Sequence, residues 1–167
     1  MRVTRLLATV LLIATVAALG ACRPSTISRS AAAPAPVVLV CEHGSVKSLM
    51  AASLFNQVAV ERGLPFRAVS RGVTPDESVP PKIAAALSGE GFDVKDFRPT
   101  RVSSADISQA SRVVAIGVDL SPFTAGEPVP IEQWNDVPAA SVDYAAAHQA
   151  LKQHVDMLIN ELQSQTR

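Results

Sequence analysis

A single cysteine, Cys41, stands where an apolar segment gives way to a short polar loop. The segment is Val37–Val40, and the loop Glu42–Val46 is followed by Lys47 and Ser48. A strand, a loop and a helix in this order place the thiol beside the first helical turn, where backbone N–H groups lack intrahelical partners and the dipole favours negative charge. Such a position binds anions and stabilises a thiolate. These residues therefore predict nucleophilic chemistry on an anionic substrate.

Alternating apolar and amphipathic segments predict the elements that position this thiol. We expect strands at 37–40, 66–70, 113–116 and 129–133, and helices at 46–61, 80–87, 103–109 and 142–163. Alternation of strands and helices favours an α/β fold with three layers, in which helices cover both faces of a four-stranded parallel sheet. Ligands of such sheets bind beyond the carboxyl ends of the strands. Cys41 lies at such an end, so the loop and the fold rule indicate the same place.

The N-terminal residues have the pattern of a targeting segment. Arg2 and Arg5 precede an apolar stretch at 6–19, whose length of about 14 residues is too short to span a bilayer. Leu19-Gly20-Ala21 then supplies small residues for a signal peptidase, and Cys22 follows. This order resembles a bacterial lipoprotein signal, in which the cysteine is acylated and becomes the new N-terminus. An ordinary secretory signal with an incidental cysteine is the alternative.

These patterns divide the chain into three parts. Residues 1–21 are predicted to be a lipoprotein signal peptide, and residues 22–36, rich in Ser, Ala and Pro, a flexible tether. Residues 37–167 have an ordinary size for one domain. We therefore expect an exported protein, held by lipid at Cys22 on the periplasmic or cell-surface side of a membrane.

Charge and cysteine content narrow the possible functions. The chain has 15 basic and 15 acidic residues, one Trp and one Tyr, and no basic stripe, so nothing supports nucleic-acid binding. Lipidation of Cys22 would leave Cys41 as an unpaired thiol in an oxidising compartment, where most exported proteins avoid one. A function for the thiol is therefore favoured. A Cys22–Cys41 disulfide or a buried inert thiol stays open.

The segment Cys41–Ser48 resembles the phosphate-binding loop of the low-molecular-weight protein tyrosine phosphatases and the related arsenate reductases. That loop reads Cys, five residues, Arg, then Ser or Thr. Further likenesses follow in chain order: Met50–Phe55 after the loop, Ser70-Arg71-Gly72 after the second strand, Gly91–Val94 with Arg98-Pro99 downstream, and Trp134–Pro138 in the loop that carries the family's acid. The chain is identified as a divergent member of this family over about 37–167, which implies the family's three-layer fold.

The resemblance implies roles for individual residues. Cys41 would attack phosphorus and form a cysteinyl-phosphate, and Ser48 would donate a hydrogen bond to its sulfur. Asp136 would protonate the leaving oxygen and then activate water, with Asp119 and Asp143 as weaker candidates. No metal or other cofactor is implied, because the loop itself supplies positive potential. The residues expected to bind the oxyanion are Glu42, His43, Gly44, Ser45, Val46 and Lys47.

Three positions depart from the family's pattern. Lys47 replaces the loop Arg, so a mobile point charge takes the place of a planar fork that binds two oxygens. The Asp-Pro pair is interrupted as Asp136-Val137-Pro138, which re-aims the carboxylate. Glu42 directly follows the nucleophile, and a carboxylate facing the site would repel phosphate. Lys47 as a solvated lysine on the first helical turn is a further alternative.

Three functions stay open, and all involve a phosphoester or a phosphate- or arsenate-like oxyanion. The favoured one is a phosphatase-like hydrolase of phosphotyrosine or small phosphoesters. The second is an arsenate reductase, which would need an external thiol because the chain has only two cysteines. The third is a non-catalytic oxyanion-binding lipoprotein, which the departures at Lys47, Glu42 and Asp136 favour.

Overall fold

The computed structural model describes residues 34–124 and 130–165. Each expected strand and helix is present there, with bounds within about two residues of those expected. A 3₁₀ turn at Ser121–Phe123 was not predicted. The predicted signal peptide, Cys22 and most of the predicted tether lie outside the described residues. The elements are β1 (Val37–Cys41), α1 (Lys47–Glu61), β2 (Ala68–Gly72), α2 (Pro81–Gly89), α3 (Ser104–Ser108), β3 (Arg112–Ala115), β4 (Ile131–Gln133) and α4 (Tyr144–Gln165).

The strands form a parallel sheet in the order β2-β1-β3-β4. All five residues of β1 are buried, as expected of a central strand that is covered on both faces. Cys41, the last residue of β1, lies beside Gly72 at the end of β2. The expected α/β fold with a four-stranded parallel sheet is therefore confirmed, and the thiol lies at the carboxyl edge of that sheet.

Two hydrophobic clusters lie on the two faces of the sheet, because successive side chains of a strand point to opposite faces. Val37 and Leu39 pack into the larger cluster, with residues of α1, α2 and α4. Val38 and Val40 belong to the smaller cluster, with Ile107 of α3. Burying each such side chain contributes about 1.5–3 kcal/mol. The sheet is thus held between two helical layers.

The long helix α4 closes the larger cluster. Its buried residues recur at helical spacing, as the sequence predicted: Leu151, Val155, Leu158 and Leu162. Tyr144, which was also expected in this stripe, is only partly buried against the cluster. Within the described part of the chain, no helix has the length and apolar character needed to cross a membrane.

Candidate active site

Two glycines shape the loop that joins β1 to α1. Gly44 has φ 67°, a conformation that residues with a side chain rarely adopt. A Cβ atom on Gly44 would lie 2.8 Å from the backbone nitrogen of Gly72, and one on Gly72 would lie 2.8 Å from that of Gly44. The loop therefore packs backbone to backbone against the end of β2, which no larger residue at either position would allow.

The carbonyl groups of the loop are bonded to the neighbouring segment. Val73 and Thr74 donate backbone N–H bonds to the carbonyls of Cys41 (3.1 Å) and Glu42 (2.8 Å), and Asp76 donates to that of His43 (3.1 Å). The Ser70 hydroxyl donates to the Gly44 carbonyl at 2.9 Å. These bonds fix the path of the loop.

The N–H groups of the loop remain available for a ligand. Among the described residues, no acceptor serves the backbone N–H groups of His43, Ser45, Val46 or Lys47. Helix α1 begins after Val46 without a side-chain cap and without an acidic residue in its first turn. A run of free N–H groups at a helix start forms a concave anion site. This is the arrangement predicted from the sequence of the loop.

The Cys41 sulfur is surrounded by hydrogen-bond donors. It receives the backbone N–H groups of Gly44 at 3.3 Å and Ser48 at 3.5 Å, and the Ser48 hydroxyl lies 3.0 Å away. The Ser70 hydroxyl also lies 2.8 Å from that of Ser48, so its one proton is shared between the Ser48 oxygen and the Gly44 carbonyl. Two backbone N–H groups and one hydroxyl thus converge on the sulfur. Cys41 forms no disulfide within the described residues, and its side chain is only 3% exposed.

A cavity of about 580 Å³ lies in front of the thiol. This volume is typical of small-molecule sites and leaves room for an organic group beside a bound oxyanion. The loop contributes Glu42, His43, Val46 and Lys47 to its lining, so the structure brings most of the predicted oxyanion-binding residues to one place. The other lining residues are Asp76, Pro80, Lys82, Ile83, Ala139, Ala140 and Ser141.

Lys47 brings a free cation to this cavity. Its amine forms no ion pair or hydrogen bond with any residue that the structure describes, and the side chain is partly buried. The amine lies beside Gly117, where an added Cβ atom would be 3.2 Å away. An unpaired ammonium group next to a thiol and free N–H groups favours binding of an anion. Lys47 therefore occupies the place of the family's loop Arg, with one charge and no planar fork.

The structure does not bring the predicted acid, Asp136, to the cavity. Its carboxylate lies 2.8 Å from Nε2 of His154 and is 71% exposed. The hydrogen bond from His154 holds the pKa of Asp136 below its ordinary value. His154 in turn stacks on the buried ring of Trp134, with ring centroids 4.7 Å apart. After Asp136, the next residues of the chain that line the cavity are Ala139 and Ala140. The interrupted Asp-Pro pair therefore places the carboxylate of Asp136 outside the cavity.

The two weaker acid candidates have structural roles instead. Asp119 accepts the N–H and the hydroxyl of Ser121 at 2.9 Å and 2.8 Å, and these bonds lower its pKa. Asp143 accepts the N–H of Ala146 at 2.9 Å at the start of α4. Neither lines the cavity. The general-acid role that the sequence assigned to Asp136, with Asp119 and Asp143 as weaker candidates, stays a prediction.

Asp76 is a titratable cavity residue that the sequence analysis did not identify. One of its carboxylate oxygens accepts a hydrogen bond from the buried hydroxyl of Ser45, and the other lies 3.4 Å from Nδ1 of His43. No motif marks this aspartate. Its only signal in the sequence is that it follows the turn Ser70-Arg71-Gly72, where the strand ends at the same edge as Cys41.

Arg71 of that turn does not serve the anion site. Its Nε atom donates to Asp106 at 2.9 Å. Burial raises the pKa of Asp106, but hydrogen bonds from the Ser103 hydroxyl and N–H, together with Arg71, outweigh it and lower the pKa. The guanidinium is therefore committed to the start of α3, and Lys47 is the loop's own source of positive charge.

A thiol-bearing anion loop at the carboxyl end of the first strand of a parallel sheet defines a class of cysteine-dependent phosphoryl-transfer folds. The family model of the low molecular weight phosphotyrosine protein phosphatases matches residues 36–120. The match covers half of the chain, and the protein belongs to this family. A search of curated protein sequences finds no significant match.

Solved structures share this fold. YfkJ from Bacillus subtilis matches with a TM-score of 0.70 at 20% identity, over 80% of this chain and 98% of that chain. The YwlE arginine phosphatase from Geobacillus stearothermophilus matches with a TM-score of 0.64 at 20% identity, over 79% and 95%. An arsenate reductase from Archaeoglobus fulgidus matches with a TM-score of 0.58 at 22% identity, over 74% and 98%. Phosphatases and arsenate reductases thus both use this architecture.

Proposed function

We propose that the protein is a phosphatase-like hydrolase that acts on phosphotyrosine or small phosphoesters through a cysteinyl-phosphate at Cys41. The observation that carries this proposal is the environment of the thiol. Two backbone N–H groups and the Ser48 hydroxyl surround the sulfur, and the free cation of Lys47 lines the same cavity. Family membership supports the same chemistry. A related arsenate reductase has also been solved in a phosphate-binding state.

The geometry supports hydrolysis in two steps. The Cys41 thiolate attacks phosphorus, so a sulfur–phosphorus bond forms while the ester bond breaks and the leaving oxygen takes a proton. The free N–H groups and Lys47 stabilise the equatorial oxygens in the transition state. Water then attacks phosphorus, phosphate leaves, and the thiolate is restored. A mutant of the YwlE arginine phosphatase carries a phosphorylated active-site serine, and we infer the same covalent step at Cys41.

The proposal is tested with p-nitrophenyl phosphate and with thiol labelling. We expect a burst of about one p-nitrophenol per protein molecule followed by slower turnover, because the covalent intermediate accumulates. Iodoacetamide should alkylate Cys41 at neutral pH, and vanadate or phosphate should block the alkylation by occupying the loop. Mass spectrometry of tryptic peptides measures the protection. Anion protection without turnover would indicate a binding protein, and a lack of both would contradict any function at this loop.

The structure does not favour arsenate reduction over hydrolysis. Within the described residues Cys41 is the only free cysteine, so none of them supplies a resolving thiol. An external thiol would have to break the cysteine–arsenic adduct. Hydrolysis needs only water, and it is the function that we retain.

We further propose that the protein is exported and anchored by lipid at Cys22, on the periplasmic or cell-surface side of a membrane. The sequence supports this through Arg2, Arg5, the apolar stretch at 6–19 and the small residues before Cys22. In a bacterial host fed a labelled fatty acid, we expect the wild type to be labelled and Cys22→Ala to lose the label. Cys41→Ala is the matched control and should keep it. Equal labelling of Cys22→Ala and the wild type would contradict the anchor.

A further inference from the structure

The cavity contains no carboxylate from the segment that follows β4. Asp136 is held by His154 outside the cavity, and Ala139 and Ala140 line it instead. A leaving alkoxide needs a proton donor within hydrogen-bond reach. Among the described residues, the titratable ones that line the cavity besides the nucleophile are Glu42, His43, Lys47, Asp76 and Lys82.

His43 and Asp76 form a positioned pair within this set. Nδ1 of His43 lies 3.4 Å from one carboxylate oxygen of Asp76, and the other oxygen accepts the hydroxyl of buried Ser45. The backbone N–H of Asp76 also donates to the carbonyl of His43 at 3.1 Å. Asp76 is therefore attached to the loop through both its backbone and its side chain. Among the described residues, none holds the carboxylate of Glu42 in a comparable way.

We propose that His43 donates and accepts the proton of the reaction at Cys41, and that Asp76 positions its ring. This inference rests on the proposed function. Asp76 lies on the Nδ1 side of the ring at an ion-pair distance, so we assign the proton exchange to Nε2; the imidazole is 56% exposed and lines the cavity. In many enzymes with a covalent nucleophile, an acid–base residue is oriented by a third group. Here Cys41 is the nucleophile, His43 the acid–base residue and Asp76 the orienting group.

The proton balance closes over one turnover. In the first step the sulfur–phosphorus bond forms, the phosphorus–oxygen bond breaks, and the leaving oxygen takes the proton from Nε2 of protonated His43. In the second step neutral His43 takes a proton from water as the water oxygen bonds to phosphorus. The sulfur–phosphorus bond then breaks and Cys41 leaves as thiolate. The net change is the addition of one water to the ester.

The test compares two esters whose leaving groups differ in their need for a proton. p-Nitrophenolate leaves with little protonation, whereas the alkoxide of benzyl phosphate requires it. We expect His43→Gln to lower kcat/KM for benzyl phosphate about 100-fold, and that for p-nitrophenyl phosphate by less than about tenfold. Asp76→Asn should show the same selectivity with a smaller loss. His148→Gln is the matched control, because His148 pairs with Glu90 outside the cavity.

The pH profile gives a second readout that a merely structural role would not move. For benzyl phosphate, kcat/KM of the wild type should fall at high pH, and the fall should be smaller in His43→Gln. Glu42, Lys47, Asp76 and Lys82 line the same cavity and are unchanged in that variant.

Three outcomes would overturn the inference. Equal slowing of both esters by His43→Gln, with wild-type turnover intact, would overturn the role of His43 and leave the proposed function standing. If Asp136→Asn selectively slows benzyl phosphate and His43→Gln does not, the proton donor is Asp136, the acid expected from the sequence. Absence of turnover of either ester by the wild type would overturn the proposed function and this inference with it.

Discussion

Cys41→Ser should lower kcat for p-nitrophenyl phosphate by about four orders of magnitude or more, as expected when a covalent nucleophile is removed. A serine hydroxyl is a far weaker nucleophile than a cysteine sulfur at neutral pH, so attack on phosphorus slows. The substitution is nearly isosteric at a side chain that is 3% exposed. The loop, the cavity and the thermal stability should therefore change little.

Stopped-flow release of p-nitrophenol measures this loss, and intact-mass analysis shows whether the serine introduced in Cys41→Ser acquires a phosphoryl group. Cys22→Ser is the matched control, because it removes the other cysteine and should keep the wild-type kcat. Turnover that survives in Cys41→Ser would show that the reaction does not pass through this sulfur.

Lys47→Arg should raise kcat by roughly tenfold to a hundredfold. Arginine binds two oxygens of the transferring group with a planar fork, and one added charge-assisted hydrogen bond is worth about 1.5–3 kcal/mol. If that bond forms only in the transition state, the rate changes by roughly the stated factor. Lys47→Met, which keeps most of the length and removes the charge, should weaken phosphate protection of Cys41.

Steady-state kinetics and the alkylation assay check both variants. Lys152→Arg serves as the control, because Lys152 pairs with Asp156 on α4 and does not line the cavity. If both variants behave like the wild type, Lys47 is a solvated lysine of the first helical turn. This is the alternative that the sequence left open.

Local patterns were sufficient for the fold and for the loop. The continuous apolar run of β1 predicted a central strand, and all of its residues are buried. The order Cys41, five residues, Lys47 and Ser48 predicted a thiol at a helix start, and the structure has this arrangement. These features depend on side-chain period and on short-range backbone geometry, which adjacent residues determine.

The residues that complete the site depend on contacts between distant parts of the chain. Asp136 follows β4 as expected. Its carboxylate, however, lies 2.8 Å from Nε2 of His154 on α4, which holds it outside the cavity. Asp76 lies far from the loop in sequence, but the segment after β2 bonds it to His43. The sequence by itself determined the parallel sheet, the position of the thiol and the anion loop. Only the tertiary structure decided which carboxylate reaches that loop, because a shift of one residue in a segment, or one ion pair to a packed helix, redirects a side chain without altering any local pattern.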